Sequence, residues 1–146
     1  MRIMQVHPSL LGALWPSIGR WLLYAARARR LSAPEARAML EDVADHVLDG
    51  RVQMWAVIRH GPGIPVIGVV LTEIPDGERV LRIRGLTGAC FLGWRDAMQD
   101  RLMAMARDHG CRVMRFTSAR RWSRWLPEWR IVARADDGMV YERAVS

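Results

Sequence analysis

Apolar residues first recur at helical spacing: Leu10, Leu11, Leu14, Ile18, Trp21, Leu22 and the stretch from Tyr24 to Ala26 predict helix over residues 9 to 29, whole or broken in two at Pro16. The arginine-rich RARR ends it. Ser32 followed by Glu35 is a capping box with Pro34 tolerated in the first turn, and Ala36, Leu40, Val43 and Val47 mark the apolar stripe of a second helix that stops at Gly50. The period then shortens to that of strands: VQMWAVIR over 52 to 59, the turn HGPGIP, VIGVVLTEI over 66 to 74, the turn PDGE and RVLRIRGL over 79 to 86. These predict three consecutive antiparallel strands. A glycine-bearing loop, TGACFLG, leads into the amphipathic WRDAMQDRLMAMARDHG, with Trp94, Ala97, Met98, Leu102, Met105 and Ala106 on one side and Gly110 as its stop. The strand CRVMRFT over 111 to 117, a short helix in the segment RRWSRWLPEWR, the strand RIVARA, the turn DDG and the strand MVYERAV complete the chain.

The order of two helices, three strands, helix, strand, short helix and two strands, over 146 residues that are 51% hydrophobic, describes one α/β (α+β) domain spanning 1 to 146. The net charge of +7 favours an anionic partner, such as nucleic acid, an acidic surface or a phosphorylated small molecule. All 22 basic residues are arginine, spread from Arg2 to Arg143, whereas a dedicated nucleic-acid arm concentrates its charge in a block. Cys90 and Cys111 have no metal-like spacing and make no disulfide framework, which fits a reducing, intracellular setting. No metal site is expected. The most apolar run, SLLGALWPSIGRWLLYAARA, is interrupted by Pro16 and Arg20 and falls short of about 18 uninterrupted apolar residues, so no membrane span is expected, and Trp15-Pro16 in its core with no small-residue cleavage pattern close behind argues against a signal peptide. The four histidines are scattered over helix ends and turns and carry no assigned role.

The element order, together with GRVQMWAV, VLTEI, the glycine-containing loop before Trp94, ARDHGC and RRWSRWLPEW, resembles the GCN5-related N-acetyltransferase (GNAT) superfamily over most of the chain. It is more closely similar to the short divergent members common in tailed-phage genomes. The resemblance implies a mixed central sheet flanked by helices and a cofactor, acetyl-CoA or another acyl-CoA, whose pyrophosphate meets backbone N–H groups between the fourth strand and the long helix. Physically that is an anion at a helix N-terminus. Carried onto this chain, the cofactor residues are Leu86, Thr87, Gly88, Ala89, Gly93 and Trp94, within a loop taken as 87 to 93. The superfamily's glycine signature is matched at Arg82 and Gly85 and departs at Thr87; a plain strand-to-helix turn is the competing reading of the same glycines.

The resemblance also implies a base for the acceptor amine and an acid for the departing thiolate. Glu73, ending VLTEI, is the candidate base, with an ordinary solvated carboxylate as the alternative. The segment after the fifth strand has no tyrosine for the acid, and Tyr141 on the last strand would have to serve from another direction. In RRWSRWLPEWR, Trp122 and Trp125 would line a cleft while Arg120, Arg121 and Arg124 stand at its rim for phosphate or an acidic partner; exposed tryptophans between arginines would instead suit single-stranded nucleic acid.

Three functions stay open on the sequence. The first is an N-acyltransferase acting on an unidentified amine in the cytoplasm of a bacterial host. The second is a non-catalytic use of the fold as a virion-associated or host-interaction protein. The third is a basic protein that binds nucleic acid weakly.

Overall fold

The structure, a computed structural model, describes residues 1–63 and 65–146. Its elements are β1 (Arg2–Gln5), α1 (Leu11–Ala28), α2 (Ala33–Leu48), β2 (Gln53–Ile58), β3 (Val66–Glu73), β4 (Val80–Gly88), α3 (Phe91–Asp108), β5 (Val113–Ser118), β6 (Arg130–Ala135) and β7 (Gly138–Ala144). The strands form one mixed sheet in the order β1-β2-β3-β4-β5-β7-β6. β1 runs antiparallel to β2, β4 pairs in parallel with β5 from Val80–Val113 to Arg82–Arg115, and β7 lies antiparallel to both β5 and β6. The chain gathers into two compact units, Met1–Leu71 with Gly85–Trp94, and Thr72–Arg84 with Arg95–Ser146.

In the first unit, Leu11, Leu14, Ile18 and Leu22 of α1 and Val47 of α2 join Val52, Met54, Ala56, Val66, Val69 and Leu71 in one core. Pro16 does not break α1, contrary to the two-helix alternative. It forfeits the bond to the Gly12 carbonyl, but both residues are exposed, so water can satisfy that oxygen. Four buried side chains at about 1.5–3 kcal/mol each outweigh the roughly 3 kcal/mol penalty of an interior proline. β1 was not expected: four residues are too few to show a period, and pairing with β2, which buries Ile3, makes the strand. The turn expected over residues 60 to 65 is closed by the Arg59 N–H donating to the Pro65 carbonyl at 3.0 Å; Ile64 within it lies outside the described residues.

The capping box of α2 forms as expected, with the Ser32 N–H donating to Glu35 Oε1 at 3.0 Å and the Glu35 N–H donating to Ser32 Oγ at 3.2 Å. The hydrogen bond from the Ser32 backbone, aided by its side chain, holds the Glu35 carboxyl below the usual glutamate range.

Gly68 of β3 lies beneath Trp94, whose indole is 1% exposed. A Cβ at Gly68 would meet Trp94 Cζ2 at 2.8 Å and Cε2 at 3.1 Å. The lone glycine in VIGVV therefore marks a close approach within a strand.

In the second unit, Met98, Leu102, Met103 and Ala106 are the buried residues of α3, while Ala97, expected on that side, is exposed. The short helix expected within 120 to 130 does not form. Trp122 instead closes a turn by accepting from the Trp125 and Leu126 N–H groups at 2.9 and 2.8 Å, and Pro127 supplies no N–H to continue it.

Two outcomes follow from this packing. Gly68→Ala should lower stability by about 1–3 kcal/mol through overpacking against a ring that cannot retreat, read as a reduced urea midpoint with an unchanged slope. The stabilisation that Glu35 provides relative to Glu35→Gln should be complete at neutral pH and should fade as pH falls through the depressed carboxyl value, because the native state binds that proton less readily than the unfolded chain. Paired thermal melts across acidic pH check this, and a difference that persists after protonation would contradict it.

Candidate functional site

The junction of β4 and α3 is far shorter than the loop of 87 to 93 expected from the sequence. β4 continues through Gly88 and α3 starts at Phe91, so only Ala89 and Cys90 connect them. Gly93 and Trp94 are therefore helical, with Gly93 in the first turn, and the signature-like frame of Arg82, Gly85 and Thr87 lies inside β4. A strand's backbone groups point to its neighbours, so that frame cannot curl around a phosphate. What remains as a candidate anion site is the start of α3 itself.

Packing against β3 forces the turn. Gly88 has φ +148°, and a Cβ there would meet Gly68 Cα at 2.5 Å and the Ile67 carbonyl oxygen at 2.6 Å. Glycine is required here for backbone contact, before any ligand is considered. The Ala89 N–H donates to the Ile67 carbonyl at 2.8 Å, and Trp94 Nε1 donates to the Ala89 carbonyl at 2.8 Å, so both faces of the connection are anchored. Cys90 then turns the chain with φ +56°, a left-handed conformation that its sequence gave no reason to expect. Phe91 stands edge-on to Trp94 with ring centroids 5.1 Å apart.

Ala89, Cys90, Leu92 and Gly93 are exposed around this helix start, and the Gly93 N–H donates to the Cys90 carbonyl at 2.9 Å. Among the described residues, the N–H groups of Cys90 and Leu92 have no protein acceptor, and the first turn of α3 carries no acidic residue. An 18-residue helix thus presents the positive end of its dipole to solvent without an internal counter-charge. The other expected cofactor residues sit apart from this opening. Leu86 is half-buried, Thr87 is 9% exposed with its hydroxyl donating to the Trp21 carbonyl at 3.5 Å, and Trp94 is enclosed as the pillar over Gly68. Trp94 therefore acts through packing and offers no surface to a ligand.

Glu73 and the three arginines belong to the second unit. The Glu73 carboxylate, a quarter exposed, faces the Arg84 guanidinium at 3.7 Å. Arg120 and Arg124 lie over the rings of Trp122 and Trp125, each 5.5 Å from the centroid, and Arg121 is exposed. The tryptophans are anchored: Trp122 Nε1 donates to Ser118 Oγ at 3.0 Å and Trp129 Nε1 to Gln99 Oε1 at 2.8 Å, while Phe116 packs edge-on to both rings. Trp129 is buried and the other two are half-buried, so the segment supplies core on one side and guanidinium groups on the other. Tyr141, 1% exposed and stacked on Phe116, accepts from the Trp122 N–H at 3.1 Å and donates to the Arg120 carbonyl at 3.5 Å. Its hydroxyl does reach the segment after β5, but as a fastener of that segment's backbone.

No group of three or more His, Cys, Asp or Glu among the described residues is arranged to hold a metal ion. Cys90 and Cys111 are both free thiols, and burial raises the Cys111 thiol above its ordinary value. Among the described residues, no helix is long and apolar enough to cross a membrane.

No protein-family model matches the sequence, and no curated protein matches it. Solved structures do match over nearly the whole length. An acetyltransferase of the GNAT family from Staphylococcus aureus Mu50 superposes with a TM-score of 0.71 at 12% identity, covering 99% of both chains. The PaiA N-acetyltransferase from Thermoplasma acidophilum, solved in complex with coenzyme A, gives 0.67 at 11% identity with 99% of both chains covered. The aminoglycoside 6'-N-acetyltransferase from Enterococcus faecium gives 0.73 at 9% identity, covering 100% of this chain and 98% of that one. With a mixed seven-stranded sheet, flanking helices and end-to-end coverage at such low identity, this chain has the fold of the GNAT acetyltransferases.

Proposed function

We propose that the protein is an N-acyltransferase that moves an acetyl or other acyl group from acyl-CoA to an amine. The observation that carries this reading is the exposed N-terminus of α3, where the N–H groups of Cys90 and Leu92 have no protein acceptor among the described residues and the first turn has no acid, in a chain of GNAT fold. Those groups fit a pyrophosphate: they are donors, they are open to solvent, and the helix dipole favours negative charge there. Ala89, Cys90, Leu92 and Gly93 would line its contact, while Gly88 and Trp94 hold the turn in place. The fold is shared with a protein crystallised with coenzyme A, which supports the same choice of cofactor here.

Acyl-CoA supplies a thioester; the amine forms the new C–N bond as the C–S bond breaks, and a proton must leave the nitrogen. Glu73 is assigned to accept that proton, with Arg84 orienting its carboxylate. Both hydrogen-bonding functions of Tyr141 are engaged with backbone, so it is not assigned to the thiolate, and solvent supplies that proton. Arg120, Arg121 and Arg124 are exposed cations suited to an acidic portion of cofactor or acceptor. The sequence landmarks shared with short phage-type members support a bacterial-host setting, with virion or host proteins as partners if the fold is used without catalysis.

Coenzyme A or acetyl-CoA at about 100 times its dissociation constant should stabilise the protein by about 2.7 kcal/mol, read as a rise in melting temperature. Gly93→Asp separates binding from folding. An acid in the first helical turn suits the dipole and keeps α3 intact, yet repels pyrophosphate, so the variant should melt no lower than the parent and should lose the ligand-induced rise. The absence of any rise in the parent protein with coenzyme A or acyl derivatives would favour the non-catalytic use of the fold.

Glu73→Gln should reduce kcat by about 10²–10⁴-fold while leaving cofactor affinity unchanged, since the residue acts on the amine. Steady-state kinetics beside calorimetric titration of coenzyme A check both halves. Equal turnover in the two proteins would remove Glu73 from the reaction.

A further inference from the structure

β6 is the outermost strand of the sheet and, among the described residues, pairs only with β7, leaving one row of its backbone N–H and C=O groups at the edge. Residues Arg130 to Arg134 are all exposed, including Ile131 at 51% and Val132 at 46%. The register shift between Ile131 and Ala133 makes Val132 an extra residue on this strand and sets two large apolar side chains next to each other.

A row of charges runs across the sheet to the same edge. Arg115 on β5 stands beside Glu142 on β7, donating to its carboxylate at 2.8 Å, and Glu142 stands beside Arg130 on β6. The row alternates in sign and ends on Arg130, which has no ion-pair partner among the described residues. A further strand would extend the alternation if it brought a carboxylate. Asp136 and Asp137, in the exposed turn after β6, likewise have no ion-pair partner among the described residues.

We propose that β6 pairs antiparallel with β6 of a second copy of this chain, about a two-fold axis at Ala133. Arg130 and Asp136 stand three positions to either side of Ala133, so this register brings Arg130 of each copy to Asp136 of the other. Ile131 then faces Ala135 and Val132 faces the aliphatic stem of Arg134, which covers the exposed apolar pair without setting arginine against arginine. The contact is self-complementary, as a closed two-fold dimer requires. It rests on six residues of strand per copy, at the small end of specific interfaces, so the dimer forms in a concentration-dependent way.

Sedimentation velocity from low micromolar to near-millimolar protein tests the proposal. The parent protein should shift from monomer to dimer mass, Arg130→Asp and Asp136→Arg should each weaken dimerisation about tenfold, and the double exchange should return it to within about threefold of the parent. Circular dichroism confirms that each variant is folded; Asp136→Arg, in an exposed turn, keeps the test decisive if Arg130→Asp disturbs its neighbour Glu142. Monomer mass at every concentration overturns the proposal. So does a dimer indifferent to the single exchanges, or one that the double exchange fails to restore.

Discussion

Two strand backbones approach each other at Gly68 and Gly88 with no side chain between them, and the whole β4–α3 junction is built on that contact. Gly88 lies against the Gly68 backbone, and Gly68 leaves the space into which the Trp94 ring settles. Trp94 in turn holds the Ala89 carbonyl, and the Ala89 N–H holds Ile67, so the first turn of α3 starts from a fixed point. A helix start fixed in this way offers its N–H groups in a constant direction, which is what recognition of an anion needs, since little ordering is left to be done on binding.

The starts of α2 and α3, both in the first unit, are finished differently. At α2, Ser32 and Glu35 satisfy each other's backbone donors and place a carboxylate at the positive end of the dipole. At α3 the first turn holds no acid, Cys90 is left-handed, and among the described residues the N–H groups of Cys90 and Leu92 meet no protein acceptor. The same physical demand is met internally at α2, while at α3 the exposed start is where the proposed cofactor would meet it.

In the second unit, aromatic residues do the work of a missing helix. Phe116 stacks on Tyr141 and meets Trp122 and Trp129 edge-on, while polar atoms of all three partners are tied to Ser118, Gln99 or the backbone of residues 120 to 122. Arg120, Arg121 and Arg124 face solvent, together with Ser123, Pro127 and Glu128. A segment that reads as a nucleic-acid stacking platform in one dimension is thus a clamp with a cationic outer surface. Tyr141 is part of the clamp: its hydroxyl sits near the stretch from which the superfamily resemblance implies an acid, but its hydrogen bonds are already committed.

Local patterns in the sequence were enough for the long elements and their order. Helical spacing in α1, the Ser32–Glu35 box, the alternating strands and the Gly110 stop each act over a few residues, so they could be read without knowing what lies across the sheet. Features that depend on a partner far along the chain were not legible. β1 exists because β2 accepts it, α1 passes Pro16 because its apolar stripe is buried by the sheet, and the Arg-Trp segment stays a turn because Pro127 and its anchored indoles prevent a helix. The candidate site divides along the same line. The sequence placed a candidate anion site at the start of α3 around Gly88 and Gly93; in the fold Gly88 answers to the Gly68 backbone, Trp94 answers to the space above it, and the connection shrinks to Ala89 and Cys90. Contacts of that kind join residues about twenty positions apart, and only the folded chain, by bringing β3 against β4, decides which glycine is taken up by another strand and which stays open to solvent.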